Sequence, residues 1–263
     1  MDIGGNILYG NEINLQIAFK KRKLRKSLFE MYSEGYKILD IDGMVLYLPD
    51  AESTEAIINI YCECMLPYHP HYYLNNPVKQ GDIVFDCGAC EGIFTKSVLN
   101  LAQKVYVIEP NPIMCKCLER TFENEIVNGK VIIIQAALGS EEGTIRYIED
   151  INTVSGGFVT KEENVNGIYV KQTTIDKIIE QYAIPHVDYI KSDIEGAERN
   201  MILGARKTIK RDKPRMSICS YHYEDDENVI KKRIQSIRSD YVFRNIGQVQ
   251  FQHSVGAVMI YCN

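Results

Sequence analysis

The chain has 263 residues, 45% of them hydrophobic and 25% charged, enough for one large α/β domain or a domain with an extension. A formal net charge of -5 leaves no global footprint for nucleic-acid binding. No apolar run approaches the roughly 20 residues of a membrane span, and Met1 to Gly10 has neither the charge nor the following apolar core of a signal peptide, so the expectation is a cytoplasmic protein.

Residues 12 to 34 read as a helix, with Ile13, Leu15, Ile17, Leu24, Leu28 and Met31 on one rough face. It carries the basic run Lys20-Lys21-Arg22-Lys23-Leu24-Arg25-Lys26. Such a run is more often a solvated helix face than a localisation signal or a contact for an anionic partner. Lys37 to Tyr47 reads as a hairpin turning at Asp42-Gly43. Residues 53 to 65 read as a helix, broken afterwards by Pro67 and Pro70. His69-Pro70-His71 reads as a bent surface loop, while Tyr68, Tyr72 and Tyr73 either wall a site or pack against the rest. Residues 1–76 are thus expected to form an N-terminal extension of helix, hairpin and helix on a main domain of residues 77–263.

From Gly81 the pattern becomes regular. Ile83-Val84-Phe85, Val105-Tyr106-Val107-Ile108 and Val131-Ile132-Ile133-Ile134 are apolar strands, with helices expected from Gly92 to Leu101 and after Pro112. Continuous β-branched runs alternating with helices mean a parallel sheet buried on both faces. Thr144 to Tyr147 reads as an added strand, and residues 150 to 167 as a polar, mobile loop. The alternation resumes with helices at 174–182, 196–209 and 226–237 and strands at 187–192 and 215–220. Two late strands, near 241–245 and 255–261, are joined by a link too short for a helical crossover, so the last pair should be antiparallel. The eight cysteines, in a chain able to bury a core, are expected as reduced thiols.

In a doubly wound sheet, ligands bind beyond the carboxyl ends of the strands. The loop there is Asp86-Cys87-Gly88-Ala89-Cys90-Glu91-Gly92. Gly88 lets the chain turn and a ligand approach, Ala89 is small, and Gly92 opens the next helix with its amide expected to face the ligand. Dinucleotide folds place a glycine where Asp86 stands, to seat a pyrophosphate. A carboxylate repels that group but suits the cationic amino acid moiety of S-adenosylmethionine. Glu109, at the end of the next strand, has the spacing of an acid that accepts ribose hydroxyls. A NAD-type Rossmann oxidoreductase and a fold retained only for partner binding are the rival readings.

These residues resemble the FkbM family of methyltransferases from about Gly81 to Tyr223. The resemblance rests on the loop just described, Glu109-Pro110-Asn111-Pro112, Ala136-Ala137-Leu138-Gly139, Thr174-Ile175-Asp176 and Ile190-Lys191-Ser192-Asp193-Ile194-Glu195-Gly196-Ala197-Glu198. It implies a Rossmann-like, seven-stranded class I methyltransferase sheet. It also implies methyl transfer to oxygen of a sugar, such as a surface-polysaccharide precursor, or of a natural-product hydroxyl. Asp86, Gly88, Gly92 and Glu109 inherit cofactor roles, and Ala89, Asn111 and Ala136 are counted with them. Cys90 stands where usual members carry Asn or a similar residue. Gln135 stands where many methyltransferases place an acid for the adenine amino group, and its amide oxygen can accept the same bond.

The methyl donor is already activated, so the remaining task is to align a hydroxyl and remove its proton. Asp193 ends the fourth strand, Glu195 follows pointing the same way if the chain stays extended, and His222 lies past the adjacent strand. His222 is either a general base or, with Asp193 and Glu195, a ligand of a divalent ion (Mg, Mn or Fe), similar to metal-dependent O-methyltransferases. Glu198 reads as a helix first-turn residue. The expected partner is a small-molecule or glycan hydroxyl acceptor rather than nucleic acid, and the extension offers surface for a homodimer.

Overall fold

The computed structural model describes residues 6–149, 157–162 and 165–263. Seven strands among them form the central sheet: β1 Ile83–Cys87, β2 Lys104–Glu109, β3 Val131–Gln135, β4 Tyr189–Ser192, β5 Arg215–Cys219, β6 Phe243–Ile246 and β7 Met259–Cys262. Their spatial order is β6-β7-β5-β4-β1-β2-β3. The strands β3-β2-β1-β4-β5 pair parallel, while β7 runs antiparallel to both β5 and β6. The order reverses between β1 and β4, which opens a crevice at their carboxyl ends.

Alternate residues enter two different cores. Val84, Val105, Val107 and Val131 face one, and Phe85, Tyr106, Ile108 and Ile134 face the other. The first face is covered by helices α1 Asn11–Ser27, α2 Thr54–Met65, α3 Ile93–Val98 and α4 Pro112–Thr121. The second is covered by α5 Ile175–Gln181, α6 Glu198–Gly204, α7 Arg206–Asp212 and α8 Asp226–Ile237. Burial on both faces is why these strands read as unbroken apolar runs.

The N-terminal helix is shorter than its pattern suggests. α1 stops at Ser27, and Phe29–Ser33 forms a strand paired with Tyr36–Ile41, which in turn pairs with Met44–Pro49. Glu34-Gly35 takes φ values of 55° and 80°, the same left-handed pair as Asp42-Gly43 at 54° and 84°. Two consecutive positive φ values make a tight hairpin turn, so Met31 faces solvent instead of continuing a helical stripe. Asn6–Leu8 pairs with Gln248–Gln250, tying the start of the chain to its C-terminal part.

A second sheet joins Gly143–Glu149 to Gly157–Thr160 and Ile168–Thr173, and the last of these to Ala137–Leu138. The loop expected over 150–167 is therefore corrected at 157–160, which backbone pairing with 146–149 holds as a strand. Residues 150–156 and 163–164 of that expectation lie outside the described residues. The helix expected over 196–209 is broken at Ala205 into α6 and α7. All eight cysteines are free thiols, Cys90 half-buried and the others buried.

The turn at the end of α6 depends on a close approach. A Cβ on Gly204 would stand 2.1 Å from the Gly139 carbonyl oxygen and 3.0 Å from Thr174 Cβ. Gly204→Ala is therefore expected to destabilise the fold by about 1–3 kcal/mol, outweighing the roughly 1 kcal/mol by which Ala favours a helix. A denaturant midpoint equal to or above that of the parent would show that the contact relaxes at no cost.

Candidate active site

The carboxyl ends of β1, β2, β4 and β5 meet at one place. Gly88 sits there with φ of 73°, and a Cβ on it would lie 1.8 Å from the Asp193 carbonyl oxygen. The Asp193 amide donates to the Cys87 carbonyl at 3.1 Å, which locks the ends of β1 and β4 together. Gly92, at φ of 79°, precedes α3, and a Cβ there would meet the Phe122 ring at 2.6 Å. Its amide donates to the Ala89 carbonyl at 2.8 Å, so it closes the loop instead of facing a ligand as expected.

Two cavities open beside this loop. The first is lined by Glu109, Ala136, Tyr147 and Val159, among others. The second is lined by Glu63, Tyr73, Ala89, Lys191 and Tyr221, among others. Gly88, Cys90, Asp193 and Glu195 line both.

Glu109 is buried, with one carboxylate oxygen accepting the Cys90 amide at 3.1 Å and the other the Asn111 amide at 2.9 Å. Burial pushes its pKa up to about 7, against the pull of those two amides. Each oxygen keeps a lone pair for a further donor. Asp86 is fully buried and faces neither cavity: Lys191 stands 3.2 Å away and the Thr95 hydroxyl donates to it at 2.6 Å. The cation that answers this carboxylate in the structure is therefore a lysine of β4. Lys191 also donates to the Gly88 carbonyl, so Asp86 acts on the loop through it. Burial alone would lower the Lys191 pKa, but the charges of Asp86 and Asp193 outweigh it and hold the ammonium protonated. Asn111 caps α4 by accepting the Ile113 amide at 2.9 Å, and Gln135 is exposed at the end of β3. Neither lines the two cavities.

Asp193, Glu195 and His222 come together, but not along an extended strand. Glu195 and Gly196 take φ values of 52° and 91°, so the chain turns after Asp193 and swings Glu195 back over His222. His222 Nε2 stands 3.3 Å from Glu195 and 3.7 Å from Asp193. Its Nδ1 stands 3.5 Å from Glu198, which is itself buried in the first turn of α6 and accepts the Ile194 amide at 2.8 Å. Burial alone would depress the imidazole pKa, yet the charges of Glu198 and Glu195 carry it well above its ordinary value. Asp193 accepts the Tyr73 hydroxyl at 2.7 Å and the Tyr221 hydroxyl at 3.4 Å. Burial works to raise its pKa, but the charges of His222 and Lys191 bring it below the ordinary carboxylate range.

Several neighbours of this site were not singled out from the sequence. Glu198 carries the sequence mark of a helix first-turn residue only, and in the structure it also faces His222. Tyr221 and Tyr147 had no spacing signal, although Tyr221 directly precedes His222 at the end of β5. His69 and His71 are not on a surface loop: both are buried, and with Glu63 they gather donor atoms within 4.8 Å of one another. His69 is already engaged: its Nδ1 accepts the His71 amide at 3.2 Å, so Nε2 carries the proton and donates to the Tyr9 hydroxyl oxygen at 3.2 Å. Burial, joined by the charge of Asp193, pushes Glu63 up to about 8.

A seven-stranded mixed sheet with cavities at the carboxyl ends of its central strands is an α/β methyltransferase-like fold. The chain belongs to the FkbM methyltransferase family, whose domain, described as "Methyltransferase FkbM domain", matches residues 86–248. The family is one of methyltransferases, and it implies S-adenosylmethionine as the methyl donor. Over 133 residues it is 23% identical to the hexuronic acid methyltransferase AglP of Haloferax volcanii, a stretch covering 50% of this chain and 53% of that protein. The chain thus spans about half the length of that curated relative. The crystal structure of methyltransferase FkbM from Methylobacillus flagellatus KT matches with a TM-score of 0.50 at 20% identity, over 80% of this chain and 53% of that one. Trm5b from Pyrococcus abyssi matches with a TM-score of 0.48 at 14% identity, over 100% of this chain and 74% of that one.

Proposed function

We propose that this enzyme transfers a methyl group from S-adenosylmethionine to a hydroxyl of a sugar, in a glycan or a nucleotide-activated precursor. The observation that carries the reading is the shared wall: Asp193 and Glu195 line both cavities, so they stand where a donor in one would meet an acceptor in the other. The adenosine part belongs in the first cavity, with Glu109 for the ribose hydroxyls and Ala136 and Tyr147 against the base. The acceptor belongs in the second, between Asp193 and the residues Glu63 and Tyr73 from the N-terminal segment. Residues 77–263 are then the catalytic unit, and residues 1–76 an extension that completes the acceptor side. The hexuronic acid named for the distant relative supports a sugar as the acceptor class.

In the transfer, an acceptor oxygen lone pair forms the new C–O bond while the C–S bond breaks with its electrons going to sulfur. The hydroxyl proton becomes strongly acidic as that bond forms, and a carboxylate can then take it. Asp193, held ionised and fixed by the Tyr73 hydroxyl, is placed for this. His222, ringed by Glu195, Glu198 and Asp193, keeps its own proton and orients the two acids that face the cavities.

The same three side chains fit a divalent ion such as Mg, Mn or Fe. His222 Nε2 lies 3.3 Å from Glu195 and 3.7 Å from Asp193, longer than a charge-assisted hydrogen bond and near the ~3 Å between neighbouring ligands of one small cation. Asp193, Glu195 and His222 would hold it, His222 as the neutral imidazole with its proton displaced, and when bound it would lower the hydroxyl pKa.

The test is label transfer from S-adenosylmethionine to a panel of neutral, acidic and amino sugars and nucleotide sugars, with and without exhaustive chelation. Calorimetry with S-adenosylhomocysteine and with NAD accompanies it. Label found on no sugar hydroxyl, or NAD binding without S-adenosylhomocysteine binding, would overturn the reading. Full activity after chelation removes the metal alone.

Glu109 makes the donor affinity pH-dependent. Ribose hydroxyls donate best to the carboxylate, which forms as the pH rises through about 7. S-Adenosylhomocysteine should therefore bind more tightly at pH 8 than at pH 6, and Glu109→Gln should weaken binding by about 10- to 100-fold and flatten the profile. A wild-type pH profile that is already flat would show that Glu109 does not bear on the ribose.

A further inference from the structure

Helix α1 has an outer face with no role in the fold. It buries Ile17 and Leu24 against the core. At 100° per residue, Leu15, Phe19, Arg22 and Lys26 form one stripe on the opposite side, with Lys23 beside it. Leu15 is 72% exposed and Phe19 73%. Phe29, just past the helix, is 62% exposed. Two of the basic residues on the flanks are engaged: Lys20 pairs with Asp42 at 2.7 Å, and Arg25 pairs with Glu55. Arg22, Lys23 and Lys26 are exposed and make no ion pair among the described residues.

A solvated face explains the cations but not the two large apolar side chains ahead of them on the same stripe. A nucleic acid would use the cations and leave Leu15 and Phe19 in water. A lipid surface with anionic head groups uses both: apolar side chains enter the acyl boundary while Lys and Arg meet the head groups. The overall charge of -5 makes this local excess of cations a feature of one face, not of the whole molecule. We propose that the outer face of α1 seats the enzyme on an anionic membrane surface, with Leu15 and Phe19 inserted and Arg22, Lys23 and Lys26 on the head groups. This inference is independent of which acceptor the site methylates.

The chain contains no tryptophan, so Phe19→Trp places a single reporter on the stripe. The probes are phosphatidylcholine vesicles with and without phosphatidylglycerol. The expected result is co-flotation and a blue-shifted emission with the anionic vesicles only, both lost at high salt. Each basic residue contributes roughly fivefold to partition, so Arg22→Gln, Lys23→Gln and Lys26→Gln combined should weaken it about 100-fold. Leu15→Ser with Phe19→Ser should weaken it by at least about tenfold. S-Adenosylhomocysteine binding and the melting temperature should stay at parent values in these variants, since the altered side chains lie on the solvent face. Failure to bind anionic vesicles overturns the proposal. So does binding without a blue shift, or tighter binding to polyadenylate that the Leu15 and Phe19 changes leave intact, which would make the face a nucleic-acid contact.

Discussion

Asp193→Asn is expected to lower kcat for methyl transfer by about 100- to 10000-fold, while S-adenosylhomocysteine affinity stays within about threefold of the parent. The change keeps the shape of the side chain and removes only its capacity to take a proton and its charge. The Asn oxygen can still accept the Tyr73 hydroxyl, which lies 2.7 Å from the carboxylate in the parent. In the proposed arrangement the donor is held by the Gly88 loop and Glu109, neither of which loses a partner. The variant also lifts one of three acids from around His222, so its imidazole should titrate at lower pH, visible in the ring-proton shifts by NMR. A purely structural role would lower the melting temperature and weaken the donor in step with activity. A kcat within about threefold of the parent would remove Asp193 from the chemistry and pass the proton to Glu195.

Much of this site was legible because it depends on strand ends. Apolar runs at 83–85, 105–108 and 131–134 announce strands buried on both faces, and adjacency of β4 and β5 brings Asp193 and His222 together. What could not be read depends on register and on distant cover. Asp86 and Lys191 are register partners across β1 and β4, and that pairing gives the carboxylate a cation from this chain that no spacing in the sequence announces. The strand Phe29–Ser33 hides because Glu34-Gly35 is not the usual dipeptide of a left-handed turn, so an apolar residue every few positions mimicked a helix. His69 and His71 look like loop residues until the N-terminal segment, with Tyr9 at 3.2 Å from His69, covers them. The turn at Glu195-Gly196 was hidden for a similar reason: a non-glycine residue at positive φ has no sequence mark of its own.

The loop glycines differ in what holds them, which yields the second large effect. Gly88→Ala is expected to destabilise the protein by about 3 kcal/mol or more, lowering the melting temperature by about 6–12 °C. It should also weaken S-adenosylhomocysteine binding by at least about 100-fold. A Cβ at this position would meet the Asp193 carbonyl oxygen at 1.8 Å, and that atom belongs to a strand end fixed by the Asp193-to-Cys87 hydrogen bond. It cannot rotate away, so β1 and β4 must separate, and the left-handed φ adds roughly 1 kcal/mol. Their separation moves Gly88, Asp193 and Glu195 together, the residues common to both cavities. At Gly92 the same substitution meets the Phe122 ring and Leu118 Cδ2, side-chain atoms that can shift. Gly92→Ala should therefore cost less stability than Gly88→Ala and leave more of the donor affinity, although both glycines share a left-handed φ. Equal losses at the two positions, by melting and by calorimetry, would mean that backbone strain and not the approach of β4 makes Gly88 necessary.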